Sequence, residues 1–279
     1  MRLALVANDA SGGRTDVARV ADLLRGHGAE VTVHGLDDLA AVPAGRPDRI
    51  VVAGGDGSIA PVAAVAADAD LPLGVVPTGT ANDFARALGL PMAVEDACAL
   101  AAAPDAAERR VDLPRAGERP FLNAASAGLS VPAARAARTL KPRLGPLAYA
   151  AGALRAGLTA RPLRCRVAVD GQEAFAGAAW QVIVAGTGAF GGGAELDAAD
   201  PADARLDVAV LRAGSRSALA RHAWALRTGG LTELADVLHA RGREVVVTGA
   251  ARFNVDGEVC EVPGGRFAVR SERVRVLVP

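Results

Sequence analysis

Two glycine-rich turns, each set between an apolar strand and a helix, constrain this chain more than any other feature. The first is Val-Val-Ala-Gly-Gly-Asp-Gly-Ser at residues 51–58, and the second is Pro-Thr-Gly-Thr-Ala-Asn-Asp at residues 77–83. Glycine adopts positive φ and lets backbone N–H groups approach an anion, and a helix amino terminus adds partial positive charge. The pair of turns therefore predicts a crevice that binds phosphate.

The flanking patterns place both turns at one edge of a sheet. Residues 48–53 and 73–76 are β-branched, apolar runs typical of buried strands, and Ser58 is the expected N-cap of the helix that follows the first turn. A second helix is predicted after residue 83, with Phe84, Leu88 and Leu90 on its apolar face. In an open parallel sheet, ligands bind outside the carboxyl ends of the strands, so the two turns are expected to converge.

Charged residues near these turns limit the ways in which the chain can bind a nucleotide. A carboxylate at Asp56 repels a bare phosphate, which suggests that Mg²⁺ lies between them. Lys141 is the only lysine, so the chain has neither a P-loop lysine nor the strand lysine of protein kinases. Backbone amides, arginine and magnesium must therefore hold any nucleotide. A dehydrogenase is disfavoured because residues 8–13, after the first strand, lack Gly-x-Gly-x-x-Gly.

The order of elements predicts an α/β fold with two parts. Up to about residue 113, strands such as 3–7 and 31–34 alternate with helices such as 16–25, for which Thr15 is the expected N-cap. That alternation predicts a doubly wound, Rossmann-like parallel sheet. From residue 121, short strands separated by glycine turns predict an antiparallel β-sandwich. The expected strands of this part are 165–169, 175–179, 181–185, 206–211, 244–248 and 252–255, interrupted by helical segments near 146–158 and 215–239.

Composition agrees with a two-domain cytoplasmic protein. The chain has 279 residues, of which 51% are hydrophobic and 3% aromatic, so the core is expected to be aliphatic. No apolar run of membrane-spanning length and no signal peptide is recognisable. Cys98, Cys165 and Cys260 lack metal-like spacing and are expected to be free thiols of a reducing compartment.

Charge is unevenly distributed although the net charge is zero. Between residues 119 and 169 there are nine basic residues and no acid. They are Arg119, Arg135, Arg138, Lys141, Arg143, Arg155, Arg161, Arg164 and Arg166. Together with neighbouring leucines, this block suits peripheral contact with an anionic membrane, and solvated surface arginines are the alternative. Nucleic-acid binding is disfavoured because aromatic platforms are almost absent.

The two glycine motifs resemble those of the diacylglycerol and sphingosine kinase family of lipid kinases. The resemblance rests on Gly-Gly-Asp-Gly-Ser at 54–58 and Pro-Thr-Gly-Thr-Ala-Asn-Asp-Phe-Ala-Arg at 77–86, and it runs nearly end to end. Weaker matches arrive in the family's order: the opening motif 8–13, Asp112, the glycines 191–193, Leu-Asp-Val at 206–208, Asp-Gly-Glu at 256–258 and the closing strand. NAD kinases share Gly-Gly-Asp-Gly, but the second motif fits lipid kinases better.

The resemblance implies an ATP- and Mg²⁺-dependent kinase of diacylglycerol or a similar lipid. It implies that residues 1–115, with a returning strand at 272–279, form the ATP-binding domain and that residues 116–271 form the substrate domain. Glu258 is the implied general base, with Asp256 orienting it or touching metal. Asp83 either caps its helix or joins Asp112 in a polar network behind the metal, which the resemblance favours. The implied ATP-binding residues are Asn8, Ser11, Gly12, Gly54, Gly55, Asp56, Gly57, Ser58, Gly79, Thr80, Asn82 and Asp83.

The resemblance also implies a structural Mg²⁺ in the second domain, at Asp203 with the carbonyls of Asp200 and Arg205. The loop departs from the family's pattern, because Ala-Asp-Ala at 202–204 stands where Asp-Asp-Gly is usual. Other departures are Asp9 for a proline, His34 for a nucleotide-contacting threonine, and a missing asparagine near 186–188. His34 is either a ribose contact or a strand-end histidine.

Several alternatives stay open at this stage. The acceptor is diacylglycerol, a sphingoid base or another amphiphilic alcohol, and a non-catalytic nucleotide- or lipid-binding regulator is the competing class. Retention of both Asp56 and Glu258 argues against lost catalysis. A homodimer is left open, and the expected location is the cytoplasm or the inner face of the membrane.

Overall fold

The computed structural model describes residues 1–7, 16–134, 157, 159, 161–189, 196 and 199–279. These residues form two compact units. Met1–Leu113 and Ser271–Pro279 make up the amino-terminal unit, and Pro114–Arg270 make up the carboxy-terminal unit. The predicted helical segment near 146–158 falls almost wholly outside the described residues, as do most of the basic residues between 119 and 169.

A parallel sheet forms the centre of the amino-terminal unit, in the order β2-β1-β3-β4-β15. Its strands are β1 (Arg2–Ala7), β2 (Glu30–Gly35), β3 (Arg49–Gly54), β4 (Leu73–Pro77) and the end of β15 (Arg266–Val278). The chain leaves β1 towards β2 on one side and returns to β3 on the other. That reversal is the topological switch of doubly wound sheets, next to which their ligands bind. The predicted parallel α/β sheet is confirmed.

Helices cover both faces of this sheet. The helices are α1 (Val17–Gly26), α2 (Asp56–Asp68), α3 (Asp83–Ala87) and α4 (Val94–Ala102), with a 3₁₀ helix at Leu36–Gly45. One face buries Leu5 and Val51 against α1 and α4, while α2 packs on β3 with the alternate residues, such as Val52. Because this sheet is covered on both sides, its central strands are apolar apart from Arg2 and Arg49, which begin β1 and β3.

Three local predictions in this unit are corrected. The Asp16 side chain, not that of Thr15, caps α1 by accepting a hydrogen bond from the Arg19 N–H at 3.0 Å. Helix α3 is a short one that ends at Ala87, so Leu88 and Leu90 are buried just beyond it. Ser58 lies within the first turn of α2 and is not its N-cap residue.

Antiparallel strands make up the carboxy-terminal unit, as predicted. They are β6 (Arg119–Pro120), β7 (Ala124–Gly128), β8 (Leu163–Val169), β9 (Gln172–Ala185), β10 (Leu206–Arg212), β11 (Val237–Gly242), β12 (Glu244–Thr248), β13 (Phe253–Val255) and β14 (Glu258–Cys260). The carboxyl end of β5 (Ala107–Ala116), from Pro114 onward, and the start of β15 also belong to this unit. The first half of β9 pairs with β8, and its second half pairs with β7 and β10. A strand shared in this way joins two sheets in a sandwich.

Two predictions in this unit are wrong. The strands expected at 175–179 and 181–185 are one continuous strand, β9. The helix expected over 215–239 is α5 (Ala218–Thr228), which ends before Gly229 and Gly230, both at positive φ. The chain then forms β11, whose partner is β10.

The core of this unit is mainly aliphatic, with three phenylalanines at its centre. Phe267 makes edge-to-face contacts with Phe121 and Phe253, at centroid distances of 6.2 and 5.1 Å. Such pairs stabilise the fold by about 0.5–1.5 kcal/mol beyond the effect of burial.

The three cysteines of the chain are free, with Cys98 and Cys165 buried. Among the described residues, no helix is long and apolar enough to cross a membrane.

Candidate active site

The first glycine turn links β3, which is buried along its whole length, to α2. Gly55 is the N-cap residue of α2, and the Ser58 N–H donates to the Gly55 carbonyl at 2.9 Å. Ser58 therefore lies inside the first helical turn, and the prediction that it caps the helix is wrong. Its buried side chain packs under Gly54, where an added Cβ would lie 2.8 Å from the Ser58 Cβ. Gly54 is thus required for packing.

The second glycine turn meets the first at backbone contact. A Cβ on Gly79 would lie 2.5 Å from the Gly55 Cα, a separation that real side chains do not reach. The Thr78 N–H also donates to the Gly54 carbonyl at 3.0 Å. The structure therefore brings the two predicted turns together, and glycine is needed on both sides of their contact.

Asp56 joins the two turns through its side chain. Its Oδ1 accepts a hydrogen bond of 2.9 Å from the Phe84 backbone N–H, in the first turn of α3. Asp56 is itself the first residue of α2, and a carboxylate is favoured at that end of a helix. A single carboxylate so placed, beside exposed Gly57 and Thr80, is a suitable ligand for a magnesium ion that also binds phosphate and water.

Asn82 holds the second turn in shape. It is buried and adopts a left-handed backbone conformation, with φ of 52°. Its side-chain oxygen accepts from the Gly79 N–H at 2.9 Å, and its side-chain nitrogen donates to the Gly79 carbonyl at 3.0 Å. Asparagine tolerates this conformation better than most residues, so backbone and side chain both favour it here.

The structure also describes three other residues of this unit that the sequence singled out: Asp83, Asp112 and His34. Asp83 is buried at the start of α3. Asp112 is also buried and accepts a hydrogen bond from Arg273 Nε at 2.8 Å, a partner that sequence reasoning did not identify. His34 Nδ1 lies 3.6 Å from Asp38 Oδ2, in keeping with a strand-end histidine. Asn8, Ser11 and Gly12, like the glycines at 191–193, lie outside the described residues.

In the carboxy-terminal unit, Asp256 and Gly257 form the tight turn between β13 and β14. Both residues have positive φ, 45° and 87°, as a two-residue Asp-Gly hairpin requires. The Asp256 carboxylate accepts hydrogen bonds of 2.8–3.1 Å from three consecutive backbone N–H groups, those of Leu122, Asn123 and Ala124. Asp256 therefore anchors the hairpin, and it positions Glu258 through the backbone.

Glu258 opens β14, and its side chain is half exposed. Its Oε2 accepts a hydrogen bond of 2.7 Å from the Arg119 guanidinium. Burial lowers the pKa of Arg119, but the hydrogen bond and charge of Glu258 raise it above its ordinary value overall. Arg119 was not assigned from sequence, although the scarcity of lysine already implied that arginine supplies the positive charges. The carboxylate is accessible and held in a defined direction.

The residues at the predicted structural magnesium site do not fit a metal ion. Asp203 Oδ1 accepts from the Arg205 N–H at 2.9 Å, and Oδ2 is paired with Arg241. The Nε of Arg241 also lies 3.1 Å from the buried Asp207, which accepts a further hydrogen bond of 2.7 Å from His239. Burial, the largest effect, raises the pKa of Asp207 despite these partners. A guanidinium supplies the cation here, and no cluster of three or more metal-binding side chains occurs among the described residues.

Comparisons with known proteins match both halves of the chain. Residues 2–115 match the diacylglycerol kinase catalytic domain, and residues 123–278 match the YegS C-terminal NAD kinase beta sandwich-like domain. A diacylglycerol kinase of Mycobacterium tuberculosis is 33% identical over 251 residues, which cover 86% of this chain and 80% of that protein. A probable lipid kinase YegS-like protein of Pseudomonas fluorescens is 34% identical over 244 residues, 83% of this chain and 77% of that protein.

The fold has a solved counterpart as well. A crystal structure of a diacylglycerol kinase from Bacillus anthracis strain Sterne aligns with a TM-score of 0.73 at 17% identity, covering 100% of this chain and 97% of that one. This likeness supports the two-part α/β and β-sandwich architecture. From the family matches over both halves and the two relatives above 30% identity, the chain belongs to the diacylglycerol kinase and YegS-like family of lipid kinases.

Proposed function

We propose that this protein transfers the γ-phosphoryl group of ATP to a hydroxyl group of diacylglycerol or a similar lipid, with Mg²⁺. Family membership supports a kinase with an alcohol group as acceptor. The observation that carries the finer assignment is the backbone contact between Gly55 and Gly79, which joins two glycine turns above a helix amino terminus.

The nucleotide part of the proposal rests on the amino-terminal unit. Phosphoryl transfer depends mainly on positioning and on electrostatic stabilisation of the phosphate. The backbone of Gly55 and Gly57 supplies N–H donors without side-chain obstruction, and the thirteen-residue helix α2 begins at the same place. The exposed Thr80 adds a hydroxyl group. These groups bind and orient a triphosphate without any lysine.

Asp56 is the residue that would hold magnesium. The ion, when bound, neutralises phosphate charge as transfer proceeds. The Phe84 N–H fixes the direction of the Asp56 carboxylate before any ligand arrives. Asp203 takes no part in metal binding in this proposal because Arg241 already pairs with it.

Glu258 is the proposed general base. A hydroxyl acceptor must lose its proton as it attacks, and a carboxylate within hydrogen-bond reach accepts that proton. Glu258 offers an accessible carboxylate, which Arg119 directs from one side. The three amide hydrogen bonds to Asp256 keep the hairpin rigid. Proton acceptance at Glu258 Oε and phosphate placement by the glycine turns are the two functions we assign to the chain's own residues.

An acceptor screen tests the proposal. The purified protein is incubated with ³²P-labelled ATP, Mg²⁺ and mixed micelles containing diacylglycerol, sphingosine or another amphiphilic alcohol, and the products are identified by mass spectrometry. Label is expected in a lipid phosphate, most strongly with diacylglycerol. ATP binding without transfer to any acceptor would instead favour a regulatory protein.

A further inference from the structure

Helix α5 exposes a tryptophan on its outer face. Trp224 is 70% exposed, more than any other large apolar side chain among the described residues. The opposite face of α5 is buried through His222 and Ala225, and Ala225 belongs to the apolar cluster that includes Trp180 and Leu231. Large aromatic side chains normally contribute to cores or interfaces. An indole directed into solvent on a packed helix therefore marks a surface that contacts something else.

The surroundings of Trp224 are basic. Arg221 and Arg227 lie three residues before and after it, which places all three side chains on one side of the helix. The sequence contains no acidic residue from position 208 to position 232, although Asp236, further along the chain, pairs with Arg221. Arg227 is exposed, and no described residue forms an ion pair with it. Ala220 and Ala223 complete the outer face, so nothing bulky screens the indole.

The helix is fixed firmly enough to present this face. Asp236 Oδ2 binds both Arg221, at 2.7 Å, and the buried His222, at 2.9 Å. Just before the helix begins, the Arg216 guanidinium lies 5.2 Å from the centre of the Trp180 ring. These contacts tie α5 to β9 and to the segment before β11. Trp224 and Arg227 therefore lie on a helix that is fixed to neighbouring strands and loops.

We infer that the outer face of α5, defined by Ala220, Arg221, Ala223, Trp224 and Arg227, docks on an anionic lipid surface. Tryptophan is favoured at the boundary between apolar chains and water, and arginines beside it are attracted to lipid phosphates. The inference deepens the proposed lipid kinase function and rests on it, since an enzyme acting on a membrane lipid must reach the bilayer. The surface proposed here lies outside the basic block noted between residues 119 and 169.

A second copy of the chain fits this face less well. In a two-fold dimer the same patch meets itself, so Arg227 would approach its own counterpart. A single indole among alanines and arginines is also far smaller and more charged than the apolar centre of a stable dimer interface. Charge complementarity therefore selects the membrane.

Vesicle binding tests the inference without relying on catalysis. The chain has two tryptophans, so Trp180→Phe leaves Trp224 as the single indole. Its fluorescence should shift to shorter wavelength with phosphatidylglycerol vesicles and much less with phosphatidylcholine vesicles. In sedimentation with phosphatidylglycerol vesicles, Trp224→Ala and Arg227→Ala should each weaken binding by about fivefold or more. Arg252→Ala, on an exposed site of the same unit, is the control and should bind as the wild type does.

The outcomes separate this inference from the proposed function. Loss of vesicle binding in Trp224→Ala, with an unchanged melting temperature, supports the inference even if no acceptor is ever phosphorylated. Unchanged vesicle binding in both variants overturns it, even if the protein proves to be a diacylglycerol kinase. Concentration-dependent dimerisation that Trp224→Ala abolishes, with no effect on vesicle binding, also overturns it. In active protein, Trp224→Ala should lose more activity on vesicle-borne diacylglycerol than on a short-chain, monomeric one.

Discussion

The Asp56 carboxylate accepts a hydrogen bond of 2.9 Å from the Phe84 backbone N–H, and this contact ties the first glycine turn to the second. The two residues are 28 positions apart in the chain. One side chain thus has two functions in our account: it fixes the loops, and it offers a charge to magnesium. The two functions are separable by mutation.

Asp56→Asn keeps an oxygen that accepts from Phe84 but removes the charge. We expect a melting temperature near that of the wild type and an affinity for MgATP at least about tenfold lower, measured by calorimetry. Asp56→Ala removes both the charge and the accepting oxygen. The partly buried Phe84 N–H then loses this partner, which costs about 1–3 kcal/mol of unfolding free energy. An Asp56→Asn protein that binds MgATP as well as the wild type does would contradict the assignment.

Gly79→Ala forces the two turns apart. The new Cβ would lie 2.5 Å from the Gly55 Cα and 2.7 Å from the Asn82 Oδ1. We expect a loss of about 1–3 kcal/mol in unfolding free energy, together with weakened ATP binding. Denaturant unfolding and ATP titration measure the two effects. Gly26→Ala is the matched control, because an added Cβ there meets nothing within 4 Å. Equal ATP affinity in Gly79→Ala and Gly26→Ala would show that the turns need not touch.

Arg241→Ala should strongly destabilise the carboxy-terminal unit. Asp207 is 1% exposed, and removal of Arg241 leaves it with a much poorer charge balance. We expect Arg241→Ala to lower the free energy of unfolding, measured by denaturant titration, by about 3–5 kcal/mol. Arg166→Ala is the control and should lower it by at most about 1 kcal/mol, because the ion pair of Arg166 with Glu173 is exposed.

The same cluster predicts how the protein responds to metal. Because Arg241 already neutralises Asp203, magnesium or a chelator should leave the melting temperature unchanged when nucleotide is absent. Scanning calorimetry in both conditions makes the measurement. A clear rise in melting temperature with magnesium, lost in Asp203→Asn, would mean that a metal ion displaces the arginine.

Asp236 predicts an acid-sensitive attachment of α5. Burial raises the pKa of Asp236, but the hydrogen bond and charge of His222, with Arg221, lower it below its ordinary value overall. A carboxylate with a lowered folded-state pKa stabilises above its unfolded value, near 4, and this stabilisation is lost as pH falls through the folded value.

Melting temperatures from about pH 6 down to about pH 3 test this expectation. Asp236→Asn should cost roughly 1–2 kcal/mol near neutral pH and should flatten part of the acid dependence. Asp68→Asn, at an exposed position on α2, should retain the wild-type dependence. If the melting temperatures of Asp236→Asn and the wild type fall identically with pH, Asp236 does not cause the acid sensitivity.

Strands β1, β3 and β4 could be predicted because each is a short, mostly apolar run that ends at or just before a glycine or polar residue. Strand β12 was predicted with its observed bounds, Glu244–Thr248. The end of α5 was missed, although Gly229 and Gly230 give a usual signal for a helix terminus. Strand β11 carries His239, Arg241 and Gly242, and this polar composition concealed it.

Long-range side-chain partners could not be predicted from the sequence. The family resemblance implied a metal at Asp203, and its pairing with Arg241, 38 residues away, could not be foreseen because it depends on the register of β10 with β11. The same holds for Arg119 beside Glu258, which are 139 residues apart. Motifs identify residues that are close in sequence, whereas charge partners depend on the completed sheet.

Glu258→Gln gives the most direct test of the account. ATP affinity and phosphoryl transfer are measured on the same preparation, with Glu261→Gln as a control at an exposed position just beyond β14. The account predicts ATP affinity and melting temperature near wild-type values and a transfer rate reduced at least about 100-fold, since a general base contributes about that much or more. Transfer by Glu258→Gln at a rate close to that of Glu261→Gln would contradict it.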